Sequence, residues 1–256
     1  MGFRDCVIHT PEEIERIRVA TAKTAEVRDR LAELVRPGMT TLQIDLLAGE
    51  LIHATGGQSA FLNYRGFPGN ICISVNDEVV HGIGVDNRIV QESDIVSLDI
   101  GVAYEGGVGD TAITLGFGTL PPDTARLLNA TREALMAGIK AAVRDNYIRD
   151  ISRAVEKRAM RDRLGIVREL VGHGVGTRLH EPPDIPNYVT PIKGPRLVPG
   201  MVLAIEPMLN LGGHRVVSEA DGWTIRTRDG SLSAHFEHTV LITEQKPEIL
   251  TWPKTT

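Results

Sequence analysis

Two helical stretches followed by a run of short β-branched segments occur twice in succession along this chain, an order that few architectures accommodate. Thr10-Pro11-Glu12-Glu13 opens the first helix with a hydroxyl cap, a proline in the first turn and a glutamate three residues after the cap. Ile14, Ile17, Leu31, Leu34 and Val35 mark its apolar stripe as far as Pro37-Gly38, and a second helix is predicted from about residue 41 to 54, stopped by Gly56-Gly57. From Phe61 onward the texture changes to runs such as 71–75, 95–102 and 111–115, separated by Gly and Asn. Two more helices, predicted over 123–143 and 151–164, then give way to glycine-punctuated strands from Val171 to Ile242. Runs of helices and runs of strands, without strict βαβ alternation, predict an α+β fold with helices packed on one face of a largely antiparallel sheet shared by two similar halves. No Ser/Gly/Pro-rich linker separates the halves, so residues 1–256 are read as a single domain.

Composition narrows the function classes. At 256 residues and 42% apolar the chain can close a sizeable core. Its 28 basic and 33 acidic residues leave a net charge of -5 with no block of like charges, which argues against a nucleic-acid partner. Cys6 and Cys72 are the only cysteines and form no C-x-x-C pair, so neither a disulfide framework nor a thiolate zinc site is available and a reducing cytoplasm is expected. The first twenty residues are too charged for a signal peptide, and no window approaches the ~18 consecutive apolar residues of a membrane span.

Against this background the acidic residues are misplaced. Asp99 interrupts the apolar run Ile95-Val96-Ser97-Leu98-Asp99-Ile100-Gly101-Val102, and Asp110 follows eleven residues later, beyond a plausible hairpin turn at Glu105-Gly106-Gly107. A turn there brings the two aspartates opposite or diagonal on one face of the ribbon, where two anions repel unless a cation lies between them. The plainer alternative is that each caps a turn or pairs with an arginine. Glu206 ends the apolar run 201–205 just before Pro207, and Glu237 begins another. Within Val171-Gly172-His173-Gly174-Val175-Gly176-Thr177-Arg178-Leu179-His180 the two histidines stand seven apart, but the glycines and the following Pro182-Pro183 forbid a helix. They belong on a strand and loop that a ligand can approach closely. Four carboxylates and one histidine form an oxygen-rich set suited to divalent Mn, Fe, Co or Zn, and bridging carboxylates would serve two ions. Cys72, inside an apolar run, reads as a packed thiol rather than a nucleophile.

Taken together, Asp99, Asp110, His173, Glu206 and Glu237, in the contexts L-D-I-G, G-D-T, G-H-G-V-G, I-E-P and F-E-H-T, resemble the ligand set of the pita-bread metallopeptidases, and most closely the type I methionine aminopeptidases. The likeness runs from the Thr10 helix to Ile242 and includes Asn63-Tyr64-Arg65-Gly66-Phe67-Pro68, Cys72-Ile73-Ser74-Val75-Asn76 and Val80-His81-Gly82-Ile83. It implies the pita-bread fold and two divalent ions. Asp99 would chelate one ion, Asp110 and Glu237 would bridge both, and His173 and Glu206 would complete the other. It further implies that Glu206 carries a proton, that His81 and His180 contact the scissile peptide, and that Tyr64, Cys72, Leu179 and Trp223 surround the methionine side chain. The substrates implied are peptides and nascent chains with an N-terminal methionine and a small second residue, such as this chain's own Gly2, with the ribosome as a possible docking partner and a monomer as the expected state. Leu179 departs from the family, which often has an aromatic residue there, and Gly69-Asn70 replace a frequent Lys-Ser. Proline-specific relatives and a pita-bread binding protein without catalysis are the rival readings. The first usually carry a large extra amino-terminal domain, and the second usually lack some of the five ligands.

Overall fold

The computed structural model describes residues 6–252; Gly2 lies outside them. Helix α1, Pro11–Leu34, begins as its sequence predicts: Glu13 N–H donates to Thr10 Oγ1 at 3.3 Å while Thr10 N–H donates to Glu13 Oε2 at 2.8 Å. Helix α2, Thr41–Ala54, repeats the device with Thr40 and Gln43. Helix α3 spans Pro122–Ala141 and α4 spans Ile148–Arg161. The last begins three residues before its predicted start, because Asp150 accepts from the Tyr147 N–H at 2.9 Å and so caps an earlier turn that Ile148 buries.

The strands that position the site are β1 (Gln58–Ser59), β2 (Cys72–Val75), β3 (Ile95–Tyr104), β4 (Gly107–Gly116), β5 (Gly172–Gly174), β6 (Glu181–Ile185), β7 (Val202–Ile205), β8 (Met208–Asn210), β9 (Ser233–His235), β10 (His238–Leu241) and β11 (Glu248–Ile249). In the first half β3 pairs with β4 along one edge and with β1 and β2 along the other. The second half is a five-stranded sheet ordered β11-β10-β7-β5-β6, and every pairing described is antiparallel. Helices α1 and α2 cover the first half, burying Leu31, Ile44 and Ile52 against Leu98, Ile100 and Val102, while α3 and α4 bury Leu135, Ile151 and Val155 against Leu203, Ile205 and Val240 in the second.

The halves meet along β4, but not through a continuous backbone ladder. Glu237 N–H donates to Ala112 O at 3.0 Å, and elsewhere threonine hydroxyls bridge the seam. Thr239 Oγ1 accepts from Asp110 N–H at 3.2 Å and donates to Asp110 O at 2.7 Å. Thr111 Oγ1 donates to Glu237 O at 2.8 Å, and Thr114 Oγ1 bonds both the amide and the carbonyl of His235. A hydroxyl that both donates and accepts satisfies buried backbone groups that the two sheets present out of register. The residues flanking this seam include Asp110 and Glu237.

Candidate metal centre and substrate cavity

Strand alternation decides which side chains meet at the seam. Along β3, Val96, Leu98, Ile100 and Val102 face the helices, so Asp99 points the other way. The β3–β4 turn is the two-residue loop Glu105–Gly106, with both φ angles positive at 45° and 80°, as a twisted hairpin requires. Its register sets Asp99 against Ala112 and Gly101 against Asp110, so the aspartates are diagonal neighbours on one face. In the second half His173 pairs with Ala204 and Thr239 pairs with the same residue from the other side. Glu206 stands just past the end of β7, two residues after Ala204, and Glu237 just before the start of β10, two residues before Thr239, and both therefore lie on the face that carries His173.

These five side chains converge. One ligand atom each from Asp110, His173 and Glu237 lie within 4.8 Å of one another, and His173 Nε2 is 3.8 Å from Asp110 Oδ2 and 3.4 Å from Glu206 Oε1. The His173 Nδ1 lies 2.9 Å from the Gly174 carbonyl, the arrangement that puts the ring proton on Nδ1 and leaves the Nε2 lone pair directed at the carboxylates. Asp99 Oδ1, Asp110 Oδ1 and Glu237 Oε1 are sealed from solvent without a hydrogen-bond partner. Burial, with the Glu206 carboxylate adding to it and His235 and the Asp110 hydrogen bond opposing it, holds Asp99 up at about 7. Asp110 and Glu237 are pushed well above the usual carboxylate range by burial and then by the neighbouring carboxylates, and Glu206 by burial. Burial lowers His173 to about 4 and keeps it neutral. Carboxylate oxygens of Asp110 and Glu237 and a neutral imidazole nitrogen gathered at one point, with the bare Asp99 oxygen on the same cavity floor, fit a divalent cation, which would supply the positive charge the cluster lacks.

Every site residue expected from the sequence borders one cavity of about 200 Å³, metal-ligand candidates on its floor and the rest on its walls. His81 reaches it from a left-handed backbone position, φ 60°, and Gly82 packs so tightly that a Cβ there would lie 2.1 Å from the Ile73 carbonyl oxygen. His180 stands at the open side, its Nδ1 2.9 Å from Tyr64 Oη and its ring 4.3 Å from that of His173. Desolvation, then the proximity of His173 and Arg65, holds it below its ordinary value. Leu179 is buried among Phe61, Phe67 and Cys72, and the Trp223 ring meets Phe67 edge-on at 5.2 Å. The Cys72 thiol is driven up by burial and then by Asp99, so it is a wall and not a nucleophile.

Several contributors escaped sequence reasoning. Phe61, Phe67 and Met208 complete the walls. Glu181 holds the 177–180 loop by accepting from Thr177 N–H (3.0 Å), Thr177 Oγ1 (2.8 Å) and Arg178 N–H (2.9 Å), with buried His9 Nε2 3.1 Å from its other oxygen. Gly69 and Asn70 do not border the cavity; Asp45 of α2 ties them down by accepting from the Asn70 and Ile71 amides at 2.7 and 3.2 Å. His235 is buried two residues before Glu237, a spacing that by strand alternation could have marked it.

The model of Metallopeptidase family M24 matches residues 15–244. The chain is 42% identical over 245 residues to the methionine aminopeptidase of Clostridium acetobutylicum, covering 96% of this chain and 98% of that relative. It is 44% identical to methionine aminopeptidase 1 of Bacillus subtilis, with the same coverage. The chain belongs to metallopeptidase family M24. Its backbone superposes on the crystal structure of methionine aminopeptidase from Thermotoga maritima with a TM-score of 0.93 at 41% identity, covering 96% of this chain and 99% of the other. The fold is therefore the pita-bread fold of that family's methionine aminopeptidases. Family membership implies divalent metal, in agreement with the donor set on the cavity floor. Among the described residues no helix is long and apolar enough to cross a membrane.

Proposed function

We propose that this chain is a methionine aminopeptidase that hydrolyses the first peptide bond of chains beginning with methionine and a small second residue, acting as one unit on cytoplasmic nascent chains. One observation carries the reading: a floor of buried carboxyl groups with partnerless oxygens lies beneath an apolar chamber walled by Phe61, Phe67, Leu179 and Trp223. The floor suits cations and the chamber suits an unbranched thioether, with aromatic faces and Cys72 as soft neighbours. Asp99, Asp110, His173, Glu206 and Glu237 would hold two divalent ions, drawn from Mn, Fe, Co and Zn, with Asp110 and Glu237 at the seam in position to serve both. When bound, the metal supplies Lewis acidity towards water and the peptide carbonyl.

The chain's own residues account for the remaining requirements. Glu206, raised by burial, is suited to take a proton from the attacking water and release it to the departing amine. With Tyr64 Oη donating to His180 Nδ1, His180 presents Nε2–H to the carbonyl oxygen, where negative charge grows in the transition state. Burial holds His81 down at about 4, so it meets the peptide as a neutral hydrogen-bonding group. The test is a peptide panel. Metal-reconstituted protein should release methionine from Met-Gly-x peptides far faster than leucine from Leu-Gly-x and should leave X-Pro dipeptides intact. Preferential X-Pro cleavage would instead place the chain with the proline-specific enzymes, and no cleavage at all would leave a binding protein.

A further inference from the structure

Behind Glu206, on the side away from the cavity, lies a second imidazole. His235 closes β9 opposite Met208 of β8, and Thr114 Oγ1 engages both its backbone amide and its carbonyl, so the main chain there is fixed. Its side chain is 1% exposed, and neither ring nitrogen has a hydrogen-bond partner among the described residues. Nε2 stands 3.6 Å from Glu206 Oε2, while Glu206 Oε1 faces His173 Nε2 at 3.4 Å. The Glu206 carboxylate is thus held between two imidazoles, one on the cavity side and one behind it.

A buried ring without partners costs free energy that an apolar side chain of similar size would not. His235 does not line the cavity, and the carboxylate within 4 Å of its ring is that of Glu206, with Asp99 and His81 as its other ionisable neighbours. The gap exceeds a hydrogen bond by a few tenths of an ångström, which a small rotation of the Glu206 side chain closes. We propose that His235 is a positioning residue for Glu206: its Nε2–H donates to Oε2 and fixes the rotamer in which Oε1 faces His173. The inference rests on the reading of Glu206 as metal ligand and proton carrier.

The experiment compares His235→Leu, His235→Gln and Glu206→Gln in the full chain by Mn(II) affinity, by kcat and KM on a Met-Gly-x peptide, and by the Tm of chelator-treated protein. His235→Leu should weaken Mn(II) binding and lower kcat by ~10- to 100-fold with KM little changed, the usual scale for groups that orient metal ligands. Its chelator-treated Tm should be unchanged or higher, because an unbonded polar ring has gone. His235→Gln keeps a donor of similar reach and should recover most of both losses. A leucine variant with parental Mn(II) affinity and kcat overturns the proposal. So does one that loses chelator-treated stability and that glutamine fails to rescue, since His235 would then be a packing element. Glu206→Gln separates the premise: if it turns over normally, the role of Glu206 falls. If it is inactive while His235→Leu is normal, only the role of His235 falls.

Discussion

Removing metal from this protein should make its stability fall as pH rises above neutrality. Four buried carboxyls crowd the cavity floor, Asp99 with its value raised to about 7 and Asp110, Glu206 and Glu237 well above the usual range, all chiefly through burial. In the unfolded chain the same groups ionise near pH 4. Between those limits the folded state binds more protons, so each such carboxyl removes stability as pH rises, by about 1.4 kcal/mol per unit. The histidines act in the opposite sense. Burial lowers His81, His173 and His180 to about 4, and His238 to about 3, so they add stability as pH rises from there to about 6.5, where unfolded histidine loses its proton. Above pH 6.5 their contribution is complete and the carboxyls act alone. From pH 6.5 to 8.0 a single carboxyl that stays protonated in the folded state costs about 2 kcal/mol, and two cost about 4. For a chain of this length 2 kcal/mol corresponds to a fall of about 4–8 °C in Tm. Chelator-treated protein should therefore melt progressively lower across that window, and saturating Mn(II), which needs the carboxylates ionised, should abolish the slope. A chelator-treated Tm that is flat or rises from pH 6.5 to 8.0, or an identical slope with metal, would refute the reasoning.

Two further outcomes test the cavity walls. Tyr64→Phe deletes the hydroxyl that bonds His180 Nδ1 and should lower kcat by roughly tenfold at unchanged Mn(II) affinity, about the 1–1.5 kcal/mol of one hydrogen bond; a parallel loss of metal would move His180 into the ligand set. Leu179→Phe grows a ring from a buried wall into the chamber and should raise the Met-Gly over Leu-Gly ratio of kcat/KM by about tenfold, within the ~1–3 kcal/mol that pocket shape commands; an unchanged ratio would mean the ring finds room elsewhere.

What was legible in the sequence was what short-range chemistry controls. Thr10, Pro11 and Glu13 announce α1 because a capping box is complete within four residues. Asp99 and Asp110 announce themselves because a carboxylate in an apolar strand is costly, and a two-residue turn determines that they share a face. The start of α4 was missed because the cap there is an aspartate reaching back to Tyr147, without a hydroxyl to signal it. The seam was illegible for a different reason: Thr111, Thr114 and Thr239 look like ordinary strand residues, and only partners more than a hundred positions away make their hydroxyls structural. Phe61 and Phe67 were overlooked as walls because nothing local distinguishes an aromatic side chain facing a cavity from one facing the core. The Leu179 departure, by contrast, could be placed from its neighbour His180, and it does border the cavity.

The central claim is that the Asp99, Asp110, His173, Glu206 and Glu237 cluster binds divalent metal and that this metal makes the cavity above it a methionine-releasing site. Its most direct test is to titrate Mn(II), Fe(II), Co(II) or Zn(II) into chelator-treated protein and measure free methionine released from a Met-Gly-x peptide, with Asp110→Asn as the parallel sample. Release should be absent without metal, rise with at least one of these ions and saturate as the cluster fills, and Asp110→Asn should neither bind metal tightly nor release methionine. Methionine release that persists in excess chelator, or full activity in Asp110→Asn, would contradict the account.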